Sequence, residues 1–476
     1  MATSAEHPHS QLQSLQMSMK SSIRSKTSAS SFITDMFVFI AGALAAFLLV
    51  WTFWTFVNPY ANPSSSFKQM LVGNGGSGSV VSPESSRRGG EGMEFGSDVE
   101  RTFYDDPELS YMIGNPVKDW DEKRRVWLKA HPSFAGGASE RVMVVTGSQP
   151  GPCKNPIGDH LLLRFFKNKV DYCRIHGYDL FYNNVLLHPE MSSFWAKLPV
   201  MKAAMLAHPE TEWIWWVDSD ALFTDMEFKV PFKKYEGYNF VVHGWDHLVY
   251  ENRSWTSLNA GIFLIRNCQW SIDFMEVWAR MGPQSPEYGK WGEIQRAIFK
   301  NKLFPASDDQ AGLIYLILQE HEKWGKMIFL EHDFLFESYW VEMVAKLQNF
   351  TQAKQKAELE DRQLRRRHAE KVTEAYGARR AEMVKDAGLG YDFGGLSGPL
   401  IIHFTGCEPC SGDHNQLYNG ESCWEGMNRA LTFADNQVLK NFGFEHPDLS
   451  NPAAVSPLPF GYPASAEEGS NETLAT

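Results

Sequence analysis

The stretch Trp213-Ile214-Trp215-Trp216-Val217-Asp218-Ser219-Asp220-Ala221-Leu222-Phe223 decides how the chain is read: a bulky apolar run stops at two carboxylates and then resumes. A short run rich in Trp, Ile and Val spells a buried strand, with a buried helical segment as the competing assignment. Asp218 and Asp220 fall at its end. Spaced i, i+2 on an extended backbone they share one face, and holding both as anions beside apolar walls is costly unless a cation neutralises them. Mn²⁺ and Mg²⁺ take oxygen ligands and keep positions open for phosphate oxygens, so the Asp218-Ser219-Asp220 turn points to a nucleoside diphosphate held through a metal. With 57 acids among 476 residues, Asp-x-Asp also arises by chance, as in Asp119-Trp120-Asp121. That second triplet lies in a polar, charged run, whereas Asp218 and Asp220 end a strand, where α/β proteins bind ligands. A purely structural capped turn is the alternative.

The segments before this stretch alternate in type. Val142–Thr146 reads as a strand closed by Gly147-Ser148-Gln149-Pro150, a turn that either brings a ligand to backbone N–H groups or simply ends the strand. His160 to Ile175 has helical spacing, Tyr178 to Asn183 is strand-like, and Trp195 to His208 is helical again. This βαβα order predicts an α/β domain with a largely parallel sheet.

Beyond it, Phe240–Trp245 reads as a strand end and Leu258–Ile265 as a turn entering a strand. Trp245 and Trp255 suit either stacking on sugar faces or the core. Asp308-Asp309-Gln310 precedes an apolar helical segment, Leu313 to Leu318. Acids at a helix start serve capping and the macrodipole as well as chemistry or acceptor binding. Pro399–Gly406 repeats the pattern of an apolar strand ending in a potential ligand, which makes His403 a candidate third metal ligand.

Composition sets the context. A formal net charge of −12 argues against nucleic acid as the main partner. Met36 to Val57 runs uncharged for 22 residues, enough for one transmembrane helix, with a cleaved signal peptide as the competing reading. Lys20, Arg24 and Lys26 place residues 1–35 in the cytosol and the rest across the membrane. The Gly- and Ser-rich segment 58–101 has the composition of a flexible stem. A folded domain over 102–449 follows, with a charged insertion at 351–386 expected as a long solvated helix or helical hairpin, and then a Pro- and Ser-rich tail over 450–476. In an oxidising lumen Asn252, Asn349 and Asn471 are candidate N-glycosylation sites. All six cysteines lie on that side, and their pairing is open; Cys407-Glu-Pro-Cys410 allows zinc or redox chemistry as well as disulfides.

Five segments together carry a family resemblance: GDHLLLRFFKNKVDYC (158–173), WWVDSDALFTDMEF (215–228), LNAGIFLIRNCQWS (258–271), DDQ (308–310) and HFTGCEPC (403–410). Over 103–463 the chain resembles the plant galactomannan galactosyltransferase and xyloglucan xylosyltransferase family, glycosyltransferase family 34. The charged insertion and the SPLPFGYP ending are closer to the galactomannan galactosyltransferases. The resemblance implies a GT-A (Rossmann-like) fold behind a single N-terminal transmembrane helix, a type II Golgi membrane protein, a UDP-sugar donor, Mn²⁺ (or Mg²⁺) and retention of anomeric configuration. By motif, Asp218 and Asp220 correspond to the metal and donor site and His403 to the C-terminal metal ligand. Ser219, Gly147, Ser148 and Gly406 are the remaining candidate donor contacts, and Asp308, Asp309 and Gln310 correspond to the segment near the transferred sugar and acceptor. Glu408 departs from the pattern, since the xylosyltransferases carry Lys there. The expected reaction is transfer of galactose from UDP-galactose to O6 of mannose in a β-mannan. Xylosyl transfer to a β-glucan is the runner-up, and a non-catalytic partner of other Golgi transferases, in a homo- or hetero-oligomer, is the third reading.

Overall fold

The computed structural model describes residues 102–135, 141–154, 156–365, 370–371, 373–386, 398–411 and 420–461. The expected cytosolic tail, transmembrane helix and stem, Asn471 and residues 462–476 lie outside the described residues. Among those described, no helix is long and apolar enough to cross a membrane.

After a first helix, α1 (Trp120–Ala130), the chain forms β1 (Val142–Gly147), α2 (Pro156–His176), β2 (Asp179–Asn183), α3 (Lys197–Ala207) and β3 (Trp213–Val217). β1 lies between β2 and β3 and is parallel to both, with Val144 opposite Leu180 on one side and Trp215 on the other. β3 is a strand rather than a helix because its side chains alternate between two cores. Trp213, Trp215 and Val217 join Tyr172, Phe223 and Leu264, while Ile214 and Trp216 join Phe263 of the neighbouring strand and, from the helices on the opposite face, Met201 and Trp278. Each large apolar side chain so buried contributes about 1.5–3 kcal/mol, and a one-residue slip would exchange the two faces, so the register is firmly set.

Next come β4 (Ala221–Phe223), β5 (Phe240–Gly244), β6 (Leu258–Arg266), α4 (Gln269–Ala279), α5 (Tyr288–Ile298), α6 (Asp309–Gln319) and β7 (Ile328–Glu331). The main sheet has the order β2-β1-β3-β6-β5-β7. Its strands are parallel except β6, which runs against both neighbours, β3 and β5. The expected parallel sheet is thus interrupted by one strand, because the β5–β6 connection holds no crossover helix of the kind parallel pairing needs. The reversal has a use. It sets the start of β6, already extended from Leu258 where a turn was expected, beside the end of β3.

A smaller sheet, β4-β9-β8, is built from β8 (Ser338–Tyr339) and β9 (Ile401–His403) together with β4. It is fastened to α2 and to a later helix through Leu161, Phe165, Leu222, Ile402, Phe404 and Met427.

The insertion is helical as expected, but its charges are not simply solvated. It forms two helices, α7 (Leu347–Glu360) and α8 (Glu374–Asp386), separated where Asp361 leaves the helical region, and it is anchored rather than merely solvated. Lys354 Nζ, Lys371 Nζ and Tyr376 OH each lie 2.8 Å from the buried Glu227 carboxylate, and Arg380 pairs with Asp225. Of the Arg365–His368 run, residues 366–368 lie outside the described residues. The chain ends in α9 (Gly420–Leu439) and a two-stranded ribbon, β10 (Phe444–Glu445) with β11 (Ser456–Pro457), so the start of the tail pairs with the domain. Cys153 pairs with Cys410 and Cys407 with Cys423, leaving Cys173 and Cys268 as thiols. The two cysteines of the CxxC spacing therefore have different partners, which removes its zinc and redox readings.

Candidate metal centre and its surroundings

The turn that carries the two aspartates is fixed on three sides. Asp218 N–H donates to Gly261 O at 3.0 Å, Ala221 N–H closes the turn onto Asp218 O at 3.2 Å, and Phe404 N–H donates to Asp220 O at 3.1 Å. Beneath it, the Asn168 side chain pairs with both backbone groups of Phe223, at 2.8 and 2.7 Å. Lys169 Nζ donates to Ala221 O at 2.7 Å and to Ser219 O at 3.4 Å. Burial pulls the Lys169 ammonium down to about 7, opposed by the charges of Asp220 and Asp218.

His403 arrives from the far end of the sequence because β9 pairs antiparallel with β4, Ala221 opposite His403. Its Nε2 lies 3.3 Å from Asp220 Oδ1 and 3.7 Å from Asp218 Oδ2. One ligand atom from each of the three residues fits within a mutual spacing of 4.8 Å. The imidazole is 4% exposed but Asp218 and Asp220 are 27% and 20% exposed, so the cluster opens to solvent on its carboxylate side. Burial alone would depress His403, but Asp220, Glu337 and Asp218 outweigh it and push the ring up to about 10. Asp220 is held below the usual carboxylate range by His403 despite its burial. The ring proton thus stands where a cation is wanted, and two carboxylates with one imidazole fit a divalent ion of the Mn²⁺ kind. Gly261 leaves the room. A Cβ there would sit 2.4 Å from Asp218 Oδ2 and 2.5 Å from His403 Cε1.

The Asp308-Asp309-Gln310 segment divides its roles. Asp308 caps α6, accepting from Ala311 N–H at 2.8 Å, and its carboxylate is also held by Trp255 Nε1 at 3.1 Å and Lys302 at 2.7 Å. The capping use expected as an alternative therefore describes its contacts. Asp309 instead pairs with Lys197 at 2.7 Å, and Lys197 reaches on to Ala260 O at 2.9 Å and Asp218 at 3.7 Å. Burial, opposed by Lys197, pushes the Asp309 carboxyl up to about 6. Gln310 spans Ala260 N–H at 3.2 Å and Trp255 O at 2.8 Å, which ties α6 to the start of β6.

The other candidates are spread around the domain. Gly147 faces Asn183 across β1 and β2, where a Cβ would come 2.3 Å from Asn183 O; Ser148 accepts from Tyr182 OH at 2.9 Å. Strand packing accounts for both contacts. Gly406 has φ 85° in the turn after β9, and Glu408 is exposed and accepts from Ser411 Oγ at 2.7 Å. Trp255 packs edge-on against Phe304, and Trp245 against His243. Asn252 and Asn349 are exposed. Four residues of the site were not singled out from sequence: Lys169, Lys197, Gly261 and Glu337. A signal existed for Lys197 alone, as a cation at the start of the largely apolar helix α3.

Residues 138–414 match the profile of the galactosyl transferase GMA12/MNN10 family. Galactomannan galactosyltransferase 1 of Cyamopsis tetragonoloba is 52% identical over 441 residues, covering 92% of this chain and 99% of its own. A protein of Oryza sativa subsp. indica named probable xyloglucan 6-xylosyltransferase 1 is 41% identical over 356 residues, covering 74% of this chain and 70% of its own. Among solved structures, a glycosyltransferase involved in the glycosylation of the major capsid of PBCV-1 aligns with 60% of this chain and 98% of its own, at 12% identity and a TM-score of 0.33. The chain belongs to the galactosyl transferase GMA12/MNN10 family, glycosyltransferase family 34, and is a glycosyltransferase.

Proposed function

We propose that the protein is a retaining, metal-dependent galactosyltransferase of the GT-A type, anchored in the Golgi membrane with its domain in the lumen. In this reading it moves galactose from UDP-galactose to O6 of mannose in a β-mannan. The observation that carries it is the convergence of Asp218, Asp220 and His403 on one solvent-facing space, beside the Lys197–Asp309 pair. The galactosyl assignment rests on the 52% identity to the Cyamopsis enzyme.

Asp218, Asp220 and His403 would hold the ion, Mn²⁺ in preference to Mg²⁺ because one donor is an imidazole. A divalent ion bound there supplies Lewis-acid stabilisation of the negative charge that a departing diphosphate gathers. The chain's own groups do the rest. Lys169 and Asn168 keep the aspartate turn rigid from below. Lys197 holds Asp309 and lies near Asp218, and so fixes the spacing between the donor end of the site and the wall where the sugar would lie. Retention of configuration requires either a carboxylate nucleophile or attack from the face the diphosphate leaves. Asp309 already has its carboxylate engaged by the Lys197 ammonium at 2.7 Å, which counts against its attacking as a nucleophile. That supports same-face attack, in which the departing phosphate takes the acceptor's proton and Asp309 and Gln310 line the opposite face.

Xylosyl transfer to a β-glucan is the second reading, favoured by the 41% identity to the Oryza protein. The two donors differ by a CH₂OH group, a distinction worth about 1–3 kcal/mol in a pocket wall. The test incubates the full-length chain with Mn²⁺, mannohexaose or cellohexaose, and UDP-galactose or UDP-xylose, and weighs the products. Hexose added to mannohexaose, lost on chelation and reduced at least about 100-fold by Asp220→Ala, is the expected result. A pentose on the glucan would replace the galactosyl assignment, full activity under chelator would remove the metal, and no turnover with any pair would favour a non-catalytic partner.

A further inference from the structure

His403 needs a bare nitrogen toward the aspartates, and a neutral imidazole has one only if its proton sits on the other nitrogen. That other nitrogen, Nδ1, is buried and makes no hydrogen bond within 3.5 Å among the described residues. The group facing it is Glu337, whose Oε1 lies 3.6 Å away and whose side chain is 8% exposed. The placement follows from strand pairing. β8 runs parallel to β9 with Tyr339 opposite His403 and Ser338 opposite Ile402, and Ser338 Oγ is pinned to Ile401 O at 2.9 Å. Two residues before Tyr339, Glu337 shares its face and so lies on the His403 side.

Glu337 is itself held. Asn259 Nδ2 donates to its Oε1 at 3.3 Å, while Asn259 Oδ1 accepts from Gly261 N–H at 2.7 Å. A single amide therefore connects the acid behind the imidazole to the glycine that separates His403 from Asp218.

We propose that Glu337 is a positioning residue of the metal centre: it accepts the Nδ1 proton of His403, which leaves Nε2 bare and aimed at the space shared with Asp218 and Asp220. The proposal rests on the reading that these three residues bind a divalent ion. A carboxylate in this place fixes both tautomer and ring orientation, and its loss costs about 10–100-fold in metal affinity.

The test measures Mn²⁺ binding directly, as loss of the free Mn²⁺ spin-resonance signal, on the full-length chain and on Asp220→Ala, Glu337→Ala and Glu337→Gln, with thermal melts to establish folding. The unaltered chain should bind and Asp220→Ala should not. Glu337→Ala should bind about 10–100-fold more weakly. Glu337→Gln, whose amide oxygen still accepts from Nδ1, should lose less, no more than about 10-fold, the lower end of that range. At saturating Mn²⁺ the turnover of Glu337→Gln should return to within a few fold of the unaltered chain, whereas a merely structural role would leave it depressed. If the unaltered chain binds no Mn²⁺, the metal reading fails and the proposal with it. If it binds and the Glu337 variants bind equally well, the Glu337 proposal alone fails. Where Glu337→Ala does not fold, unchanged affinity in Glu337→Gln overturns it, as does turnover that saturating Mn²⁺ leaves unrestored.

Discussion

Replacing Gly261 by alanine adds one methyl group between two of the three proposed metal ligands. The backbone there has no left-handed φ, so alanine fits the conformation, and in open space the change would stabilise the fold by about 0.4–1 kcal/mol through the unfolded chain. The space is not open. The new Cβ would sit 2.4 Å from Asp218 Oδ2 and 2.5 Å from His403 Cε1. Each is roughly 1 Å short of ordinary contact between non-bonded atoms. The strand cannot retreat, because Gly261 O accepts from Asp218 N–H and Gly261 N–H donates to Asn259. The ligands must therefore move, by about 1 Å where metal–ligand distances tolerate about 0.2 Å. A misplacement of that size costs about 100-fold in rate, or roughly 2.7 kcal/mol, and the overpacking costs a further 1–3 kcal/mol of stability. Mn²⁺ titration, turnover at fixed Mn²⁺ and a thermal melt read the three effects separately. Unaltered Mn²⁺ affinity together with a raised melting temperature would refute the reasoning, since it would mean that the methyl group meets empty space.

Two further perturbations test the frame around the site. Burial holds His176 down to about 4, with Nε2 against Met226 O at 3.0 Å. Its folded value lies below the unfolded value of about 6.5, so the unfolded chain binds more protons in between, and roughly 1–3 kcal/mol of stability present above that pH is lost as pH falls toward 4. Denaturant melts at steps across this window should show a shallower loss for His176→Gln, and parallel curves for the two proteins would count against the assignment. Glu227→Ala strips the buried carboxylate from Lys354, Lys371 and Arg380 and should cost about 3–5 kcal/mol. Limited proteolysis should then cut within 351–386 well before the domain core; a cleavage pattern like that of the unaltered chain would show that the insertion is held by something else.

The centre of the fold was legible because its signals are local. Five residues from Trp213 alternate between two cores, and that periodicity, with acids at the strand's end, can be read from neighbours two positions apart. The helix beginning at Asp309 was legible for a similar reason, since capping is decided within one turn. The same locality left Asp308 and Asp309 alike in sequence, whereas their contacts differ: Asp308 meets Ala311 N–H and Lys302, and Asp309 meets Lys197.

Tertiary structure decided which distant groups became neighbours. His403 resembled any histidine at a strand's end until β9 paired with β4, and Glu337 was one acid among 57 until β8 set it behind the imidazole. The cations of the insertion looked like a solvated face because their partner, Glu227, belongs to the loop after β4. The reversal of β6 brought Gly261 against Asp218, a contact that follows from pairing direction. Periodicity and capping are properties of a few consecutive residues, and one dimension carries them. Register, strand direction and the burial of a charge depend on two segments at once, and these arise only when the chain has folded back on itself.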